Sequence, residues 1–311
     1  MIGRKCNIFS LSFFVTCLNP SAHLVYRRHC RPASQNRKRF SDSDIRTNAV
    51  VAVATHWQDH PDTLALLQKW ARSDQDGNVQ ATAIEQLAQG YQDHPDTLAL
   101  LQAWARSDKN SWVRRTAIVQ LAQGYQDHPD TLALLQAWAR SDTDSSVRRE
   151  AIEQLAQGYQ DHPDTLALLQ ESARSDTDSS VRRTAIVQLA QGYQDHPDTL
   201  ALLQAWARSD TDSDMRVTAI EQLAQGWHDQ PWLFEFLCVR TLHDPFERKE
   251  FWDDNPREAA LKAILEYYPN HSQTRSLLQD RADHDSDPKL REFAQEELAK
   301  LRQEAIGNRQ E

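Results

Sequence analysis

The sequence predicts an all-α fold, an α-solenoid of stacked antiparallel helix pairs in 34-residue repeats, and three observations carry that expectation. The tripeptide HPD recurs at His60, His94, His128, His162 and His196, always 34 residues apart, which is the length of a two-helix hairpin with two short turns. The phrase GYQDHPDTLALLQ occurs whole from Gly90, Gly124, Gly158 and Gly192, and in part from His56 as HWQDHPDTLALLQ. Between these phrases the apolar residues fall at helical spacing. A fixed period overrides the prior that 311 residues hold two or three domains, because repeats stack into a single elongated unit.

Each repeat supplies two helices. In PDTLALLQESARSD, Pro163 has no amide donor to lose in the first turn, Asp164 suits the positive helix N-terminus, and Leu166, Leu169 and Ala173 share one face. This is helix A. In SSVRREAIEQLAQG, Val147, Ala151 and Leu155 share a face, Ser146 is expected to cap the start and Gly158 to take the left-handed position after the last turn. This is helix B. Each helix is about a dozen residues, marginal alone in water, so stacking must supply most of the stability. Segments 109–142 and 177–210 differ at only three positions, a mark of recent duplication. The alternation of AIEQ (Glu85, Glu153, Glu221) with AIVQ (Val119, Val187) makes a 68-residue copied block the expectation.

The chain divides into a basic leader (1–40), the regular array (41–227), two degenerate repeats (228–301) and a frayed tail (302–311). The sixth repeat has helix A near Pro231–Thr241, then the insertion HDPFERKEFWDDN, then helix B near Pro256–Tyr268. In the last helix, charged residues separate Leu290, Phe293, Leu298 and Leu301, which suits a terminal cap facing water. At the other end, DSDIRTNAVVAVATH aligns with a helix B that has no helix A before it, so Val50, Val51 and Val53 would expose an apolar face unless more chain lay upstream. The polypeptide is therefore expected to be the C-terminal part of a longer ancestral array.

Charge narrows the partners. Residues 1–40 hold eight Lys or Arg and no Asp or Glu, leaving 27 basic against 45 acidic side chains from Ser41 onward. A body so acidic repels nucleic acid and anionic lipid, so a protein partner is expected and nucleic acid is not. Cys6, Cys17 and Cys30 lie in the leader and Cys238 alone in the repetitive body, which offers no disulfide framework there and suits a reducing compartment such as the cytoplasm. The apolar run Ile8 to Leu18 has the length of an export signal and is too short to span a bilayer, while Pro20 and Ala22 make a poor cleavage site. A disordered or mis-started leader is the other reading. No membrane span is expected, and the chain is expected to be monomeric.

The pattern D-x-D-x-x-V-R-x-x-A appears as Asp142, Asp144, Val147, Arg148 and Ala151, and again as Asp176, Asp178, Val181, Arg182 and Ala185. It resembles the HEAT repeat, particularly the short bacterial HEAT-like form, over about residues 41–301. That resemblance implies that the Asp and Arg brace successive turns, and it assigns Arg114, Arg148, Arg182 and Arg216 to the bracing position. The C-terminal stretch from DPFERKEFWDDN to REFAQEELAKL, together with the repeats, resembles the HEAT array of cyanobacterial NACHT-type signalling NTPases. In that family the repeats follow an ATP-binding domain and are thought to act as a sensor or interaction surface. No G-x-x-x-x-G-K-[ST] loop occurs in this chain, so the resemblance carries over no nucleotide chemistry.

Several features invite an enzymatic reading. Equivalent histidines in adjacent repeats stand about 10 Å apart, a helix-packing distance, too far to share one zinc, so they are expected to be turn residues leading into helix A. HEAT-fold enzymes resembling deoxyhypusine hydroxylase hold iron with His-Glu dipeptides, and none of the twelve histidines here precedes a glutamate. HEAT-like bilin lyases of phycobilisome biogenesis are the other enzymatic relatives, but near-identical units favour a repeated surface over one chromophore pocket. The aromatic columns Trp70, Trp104, Trp138 and Trp206, and Trp57, Tyr91, Tyr125, Tyr159, Tyr193 and Trp227, could stack bases, but their spacing favours packing between repeats. Cys238 reads as a buried helix residue.

No catalytic, metal or cofactor-binding residue is expected. The candidates for partner contact are Arg115, Arg149 and Arg183, one position beyond the bracing arginines, with Gln120, Gln154, Gln188, Glu153 and Glu221 on the exposed side of helix B. In HEAT arrays that side commonly lines the binding surface; the alternative is a solvated face. Trp112, where other repeats have Asn78, Ser146, Ser180 or Asp214, would tune what is bound. A non-enzymatic scaffold or sensor in signal transduction is the preferred reading.

Overall fold

Where the computed structural model describes the chain, over residues 42–307 with side chains to Gln303, it shows fifteen helices and no strand. The leader readings, including the export signal and three of the cysteines, lie outside the described residues. The chain divides inside one helix into two compact units, up to Ala117 and from Ile118 onward.

The first unit holds α1 (Asp42–His56), α2 (Thr63–Ser73), α3 (Gly77–Gly90), α4 (Pro95–Ser107) and the first half of α5 (Ser111–Gly124). Helix α1 packs on both α2 and α3, which buries Val50 and Val53 and leaves Ile45 and Val51 exposed. The expectation of an exposed valine face is thus met at Val51 only, because α3 covers the other two.

The second unit holds the rest of α5 and five hairpins: α6 (Thr131–Ser141) with α7 (Ser145–Gly158), α8 (Pro163–Ser175) with α9 (Ser179–Gly192), α10 (Pro197–Ser209) with α11 (Ser213–Trp227), α12 (Leu233–His243) with α13 (Pro256–Tyr267), and α14 (Thr274–His284) with α15 (Pro288–Gly307). Helices B stack in the order α7, α9, α11, α13. The leucine, isoleucine and valine positions of the repeat form a core in which Leu135, Ile152, Leu155, Leu169 and Ile186 are fully buried. Helix α15 continues to Gly307, so the tail expected to fray from residue 302 begins as helix.

Polar clasps join successive hairpins. Arg148 donates through Nε and Nη2 to the two carboxylate oxygens of Asp176, at 2.8 and 2.7 Å, and through Nη1 to the Asp142 carbonyl at 2.8 Å. Arg216 repeats this on Asp244 and the Asp210 carbonyl, Arg257 holds Asp285, and in the first unit Arg46 holds Asp74. Each of these aspartates lies 28 residues after its arginine, at the C-cap of the next helix A. A planar guanidinium matches both carboxylate oxygens with parallel N–H groups while its other nitrogen reaches the carbonyl, a fixed geometry that the compact ammonium of Lys does not offer. Arg182 is looser, reaching Asp212 with Nη2 at 2.9 Å. The bracing role expected of Arg148, Arg182 and Arg216 holds. Arg114 donates to the Asp108 carbonyl in the same way.

The other end of the repeat carries a second clasp. Tyr159 Oη donates to the Gln126 carbonyl at 2.6 Å, and Gln126 Nε2 donates back to the Gly158 carbonyl at 2.6 Å; Tyr193 bonds the Gln160 carbonyl and Tyr91 that of Gln58. The recurrent tyrosine therefore does more than pack. The stacked tryptophans behave as expected, with Trp104, Trp138 and Trp206 buried within their units.

Two local expectations are corrected. Helix B is capped by the second aspartate of D-x-D: Asp144 accepts from the Ser146 amide at 2.9 Å, and Asp178 does the same for Ser180, so Ser146 lies inside the first turn. Asp142 in turn accepts from the Asp144 amide, so the two carboxylates form consecutive turns that lead the chain into the helix. Gly158 is the last helical residue and no described glycine has positive φ; Tyr159 follows it as the C-cap at φ −135° and ψ 34°.

Candidate functional site

Helix B begins at the aspartate cap, so the side chains of its outer stripe repeat at fixed offsets from that cap. On α7 these include Arg149 and Glu153, and on the adjacent α9 they include Arg183, Thr184, Val187 and Gln188. The stacking of α7 on α9 turns the two stripes into an open groove of about 310 Å³, with Ser180 at the start of α9 beside it. Four of the residues predicted for partner contact, Arg149, Glu153, Arg183 and Gln188, meet there. Arg149 Nε lies 3.9 Å from Glu153 Oε1, too long for a hydrogen bond, so both groups remain half-exposed.

The next helix changes the sign of the surface. On α11, Glu221 is exposed; desolvation raises its pKa, Asp254 adds to the rise, and Lys262 and Arg183 oppose it. Asp214 at the start of α11 is raised by desolvation and by Asp212, with Arg183 opposing. Arg183, which lines the groove, also acts on these α11 carboxylates and only partly offsets the rise in their pKa.

The remaining predicted residues divide. Gln154 is 8% exposed and donates to Glu150 Oε1 at 3.0 Å, so it belongs to the packed interior rather than to the exposed side. The helix turns it about 100° from Glu153, toward its neighbours. Gln120, on the second half of α5, is half-buried. In the first unit, Trp112 is 46% exposed and the Arg115 guanidinium stands 5.1 Å above its ring centroid, a cation–π pair.

The histidines lead into the A helices: His94, His162 and His196 are the N-caps of α4, α8 and α10, whereas the N-caps of α2 and α6 are Asp62 and Asp130. His60, His94, His128, His162 and His196 each accept at Nδ1 from the amide two residues on, all at 3.3 Å. Among the described residues no group of three or more His, Cys, Asp or Glu is placed to hold a metal ion, and no helix is long and apolar enough to cross a membrane. Cys238 is half-buried rather than fully buried, and burial pushes its thiol pKa up.

Sequence reasoning noted the insertion in the sixth repeat without assigning it a surface. Arg248 fixes that loop by bonding Asp287, which also accepts from Asn255, and the Asp253 carboxylate accepts from the Lys249 and Glu250 amides at 3.0 and 2.9 Å. Between these anchors Phe251 and Trp252 project at 76% exposure each, with Lys289 Nζ 3.3 Å from the Phe251 ring centroid. The signal was present as two adjacent aromatics in a stretch that breaks the 34-residue period.

None of the curated proteins matches this chain. The X-ray structure of YibA from Escherichia coli is similar over 96% of this chain and 99% of that one, at 18% identity and a TM-score of 0.49. The family of HEAT repeats matches residues 35–122, 64–156, 99–190 and 132–224, more than half of the chain, and the protein belongs to that family.

Proposed function

We propose that this protein is a non-enzymatic scaffold that binds protein partners along the outer stripe of its B helices. The observation that carries the reading is the α7/α9 groove, where Arg149, Glu153, Arg183 and Gln188 meet on one open, mixed-charge surface. Small-molecule sites are concave and mostly apolar, whereas a shallow groove with charges of both signs suits the side chains of another protein. Electrostatic complementarity at such a surface sets specificity and encounter rate more than raw affinity. The repeats give the surface a constant frame, and the positions that vary around it set what is held. A signalling role is part of the proposal and rests on the resemblance to NACHT-associated arrays alone, and its placement in the cytoplasm rests on the sparse cysteines of the repetitive body.

The test is capture from the native cell with wild-type protein and with R149E/R183E, with R115E as a separate variant in the first unit. All three positions are half-buried side chains outside the Arg–Asp clasps, so the helical circular dichroism should not change. The double variant is expected to lose at least one partner that the wild type retains. Identical capture by both proteins contradicts the proposed surface.

A further inference from the structure

The sixth hairpin departs from the repeat at a second place, on helices α10 and α12. Arg240 stands 34 residues after Trp206, where the pattern calls for a tryptophan. Its guanidinium and that of Arg208 flank the Phe236 ring, 5.9 and 5.1 Å from the centroid. Arg240 Nη1 donates to the Arg208 carbonyl at 3.1 Å, and Arg208 Nη2 makes a long contact of 3.4 Å to Gln204. Arg240 Nε is buried with no hydrogen-bond partner, which in a native fold asks for an acceptor.

No carboxylate lies within ion-pair distance of either arginine among the described residues. That sets them apart from Arg148, Arg182, Arg216 and Arg257, each of which holds an aspartate. The neighbouring Asp244 is already taken by both Nε and Nη2 of Arg216. Burial lowers the Arg240 pKa, and the facing charges of Arg208 and Arg216 lower it further against the pull of Asp244. Two cations converge here in a chain whose net charge is −10.

They converge on a groove of about 440 Å³ that Trp232, Phe236 and Val239 also line, with Glu235 as the acid among its lining residues. Trp232 stands edge-on to Phe236 at 5.9 Å and Val239 is 40% exposed, so the groove offers an apolar floor beside its two guanidinium groups.

We propose that this groove binds an acidic segment of a partner protein, one carboxylate of which bridges Arg208 and Arg240 while a neighbouring apolar side chain lies on Trp232 and Val239. Guanidinium forks match a carboxylate in geometry. Phosphate fits the same forks, but Glu235 and the net negative charge of the protein penalise a dianion more than a monoanion. The site lies on A helices and stands whether or not the α7/α9 groove binds anything.

The experiment is a positional-scanning array of acetylated octapeptides probed with the full chain, followed by fluorescence-polarisation titration of the strongest peptide. Selection of Asp or Glu next to an aromatic or branched aliphatic residue is expected, with affinity about tenfold or more weaker for R208E and for R240Q. R149E/R183E is expected to bind as the wild type does, which separates this site from the B-helix groove. Arg208 is exposed, so R208E keeps the fold even if R240Q loses helical signal. No acidic selection, equal binding by R208E, or tighter binding of the phosphoserine counterpart than of the carboxylate peptide would overturn the proposal.

Discussion

Removing the Asp244 carboxylate tests the account of how the repeats are held together. Asp244 accepts from Arg216 Nε at 2.8 Å and Nη2 at 3.0 Å and from the Phe246 amide at 3.1 Å, and the Arg216 and Asp244 side chains are 7% and 0% exposed. In Asp244→Ala the guanidinium stays buried with the Asp210 carbonyl as its remaining acceptor, an uncompensated charge that costs about 3–5 kcal/mol. Asp244→Leu combined with Arg216→Met removes both charges, and its loss should be smaller than that of the single variant. Against a total stability of about 5–15 kcal/mol the single change is severe. Repeat arrays need not unfold in two states, so urea denaturation should be paired with hydrogen exchange, in which amides of α10 to α13 should lose protection first. A loss below about 1 kcal/mol, as for an exposed ion pair, or a double variant as damaged as the sum of the singles, would refute the clasp.

Three further outcomes follow from the local geometry. His162→Ala removes the Nδ1 acceptor for the Asp164 amide and should cost about 0.5–1 kcal/mol, while His162→Asn, which can accept in the same place, should recover most of it; equal melting of both variants would contradict the cap. Hydrogen bonds from Ser180 and Ser145 hold the Asp178 pKa at about 2, below the ordinary 3.8, so its stabilisation is complete above pH 3.8 and is lost as pH falls toward 2. Acid titration of Asp178→Asn by circular dichroism should therefore show a shallower loss over that window, and an unchanged slope would contradict the assignment. Gly158→Ala places a Cβ no nearer than 3.5 Å to Gln126 Nε2 at a residue with helical backbone, so it should stabilise the fold by about 0.5–1 kcal/mol; destabilisation would mean that the glycine is required.

The period, the hairpins and the Arg–Asp braces were legible because each depends on one residue type at a fixed offset. A strict 34-residue register repeats every such offset in plain view. The D-x-D cap was misassigned to Ser146 because both residue types cap helices well, and only the backbone shows which one precedes the first turn. The glycine was misread for the same reason: an end-of-helix glycine suggests a left-handed turn, whereas here its carbonyl serves Gln126 Nε2. Among the candidate residues, Arg149, Glu153, Arg183 and Gln188 could be grouped from helical spacing, but the inward turn of Gln154 depends on how α7 packs, which spacing does not fix. The Arg208/Arg240 pair lay beyond reach because its meaning is an absence, two cations without the aspartate that the bracing arginines Arg148, Arg182, Arg216 and Arg257 have.

Hydrogen exchange of the full chain alone and with the partner that R149E/R183E fails to capture tests the scaffold reading most directly. The account predicts added protection over 145–158 and 179–192, the two helices that form the groove. Protection confined to other helices, with these two unchanged, would contradict it.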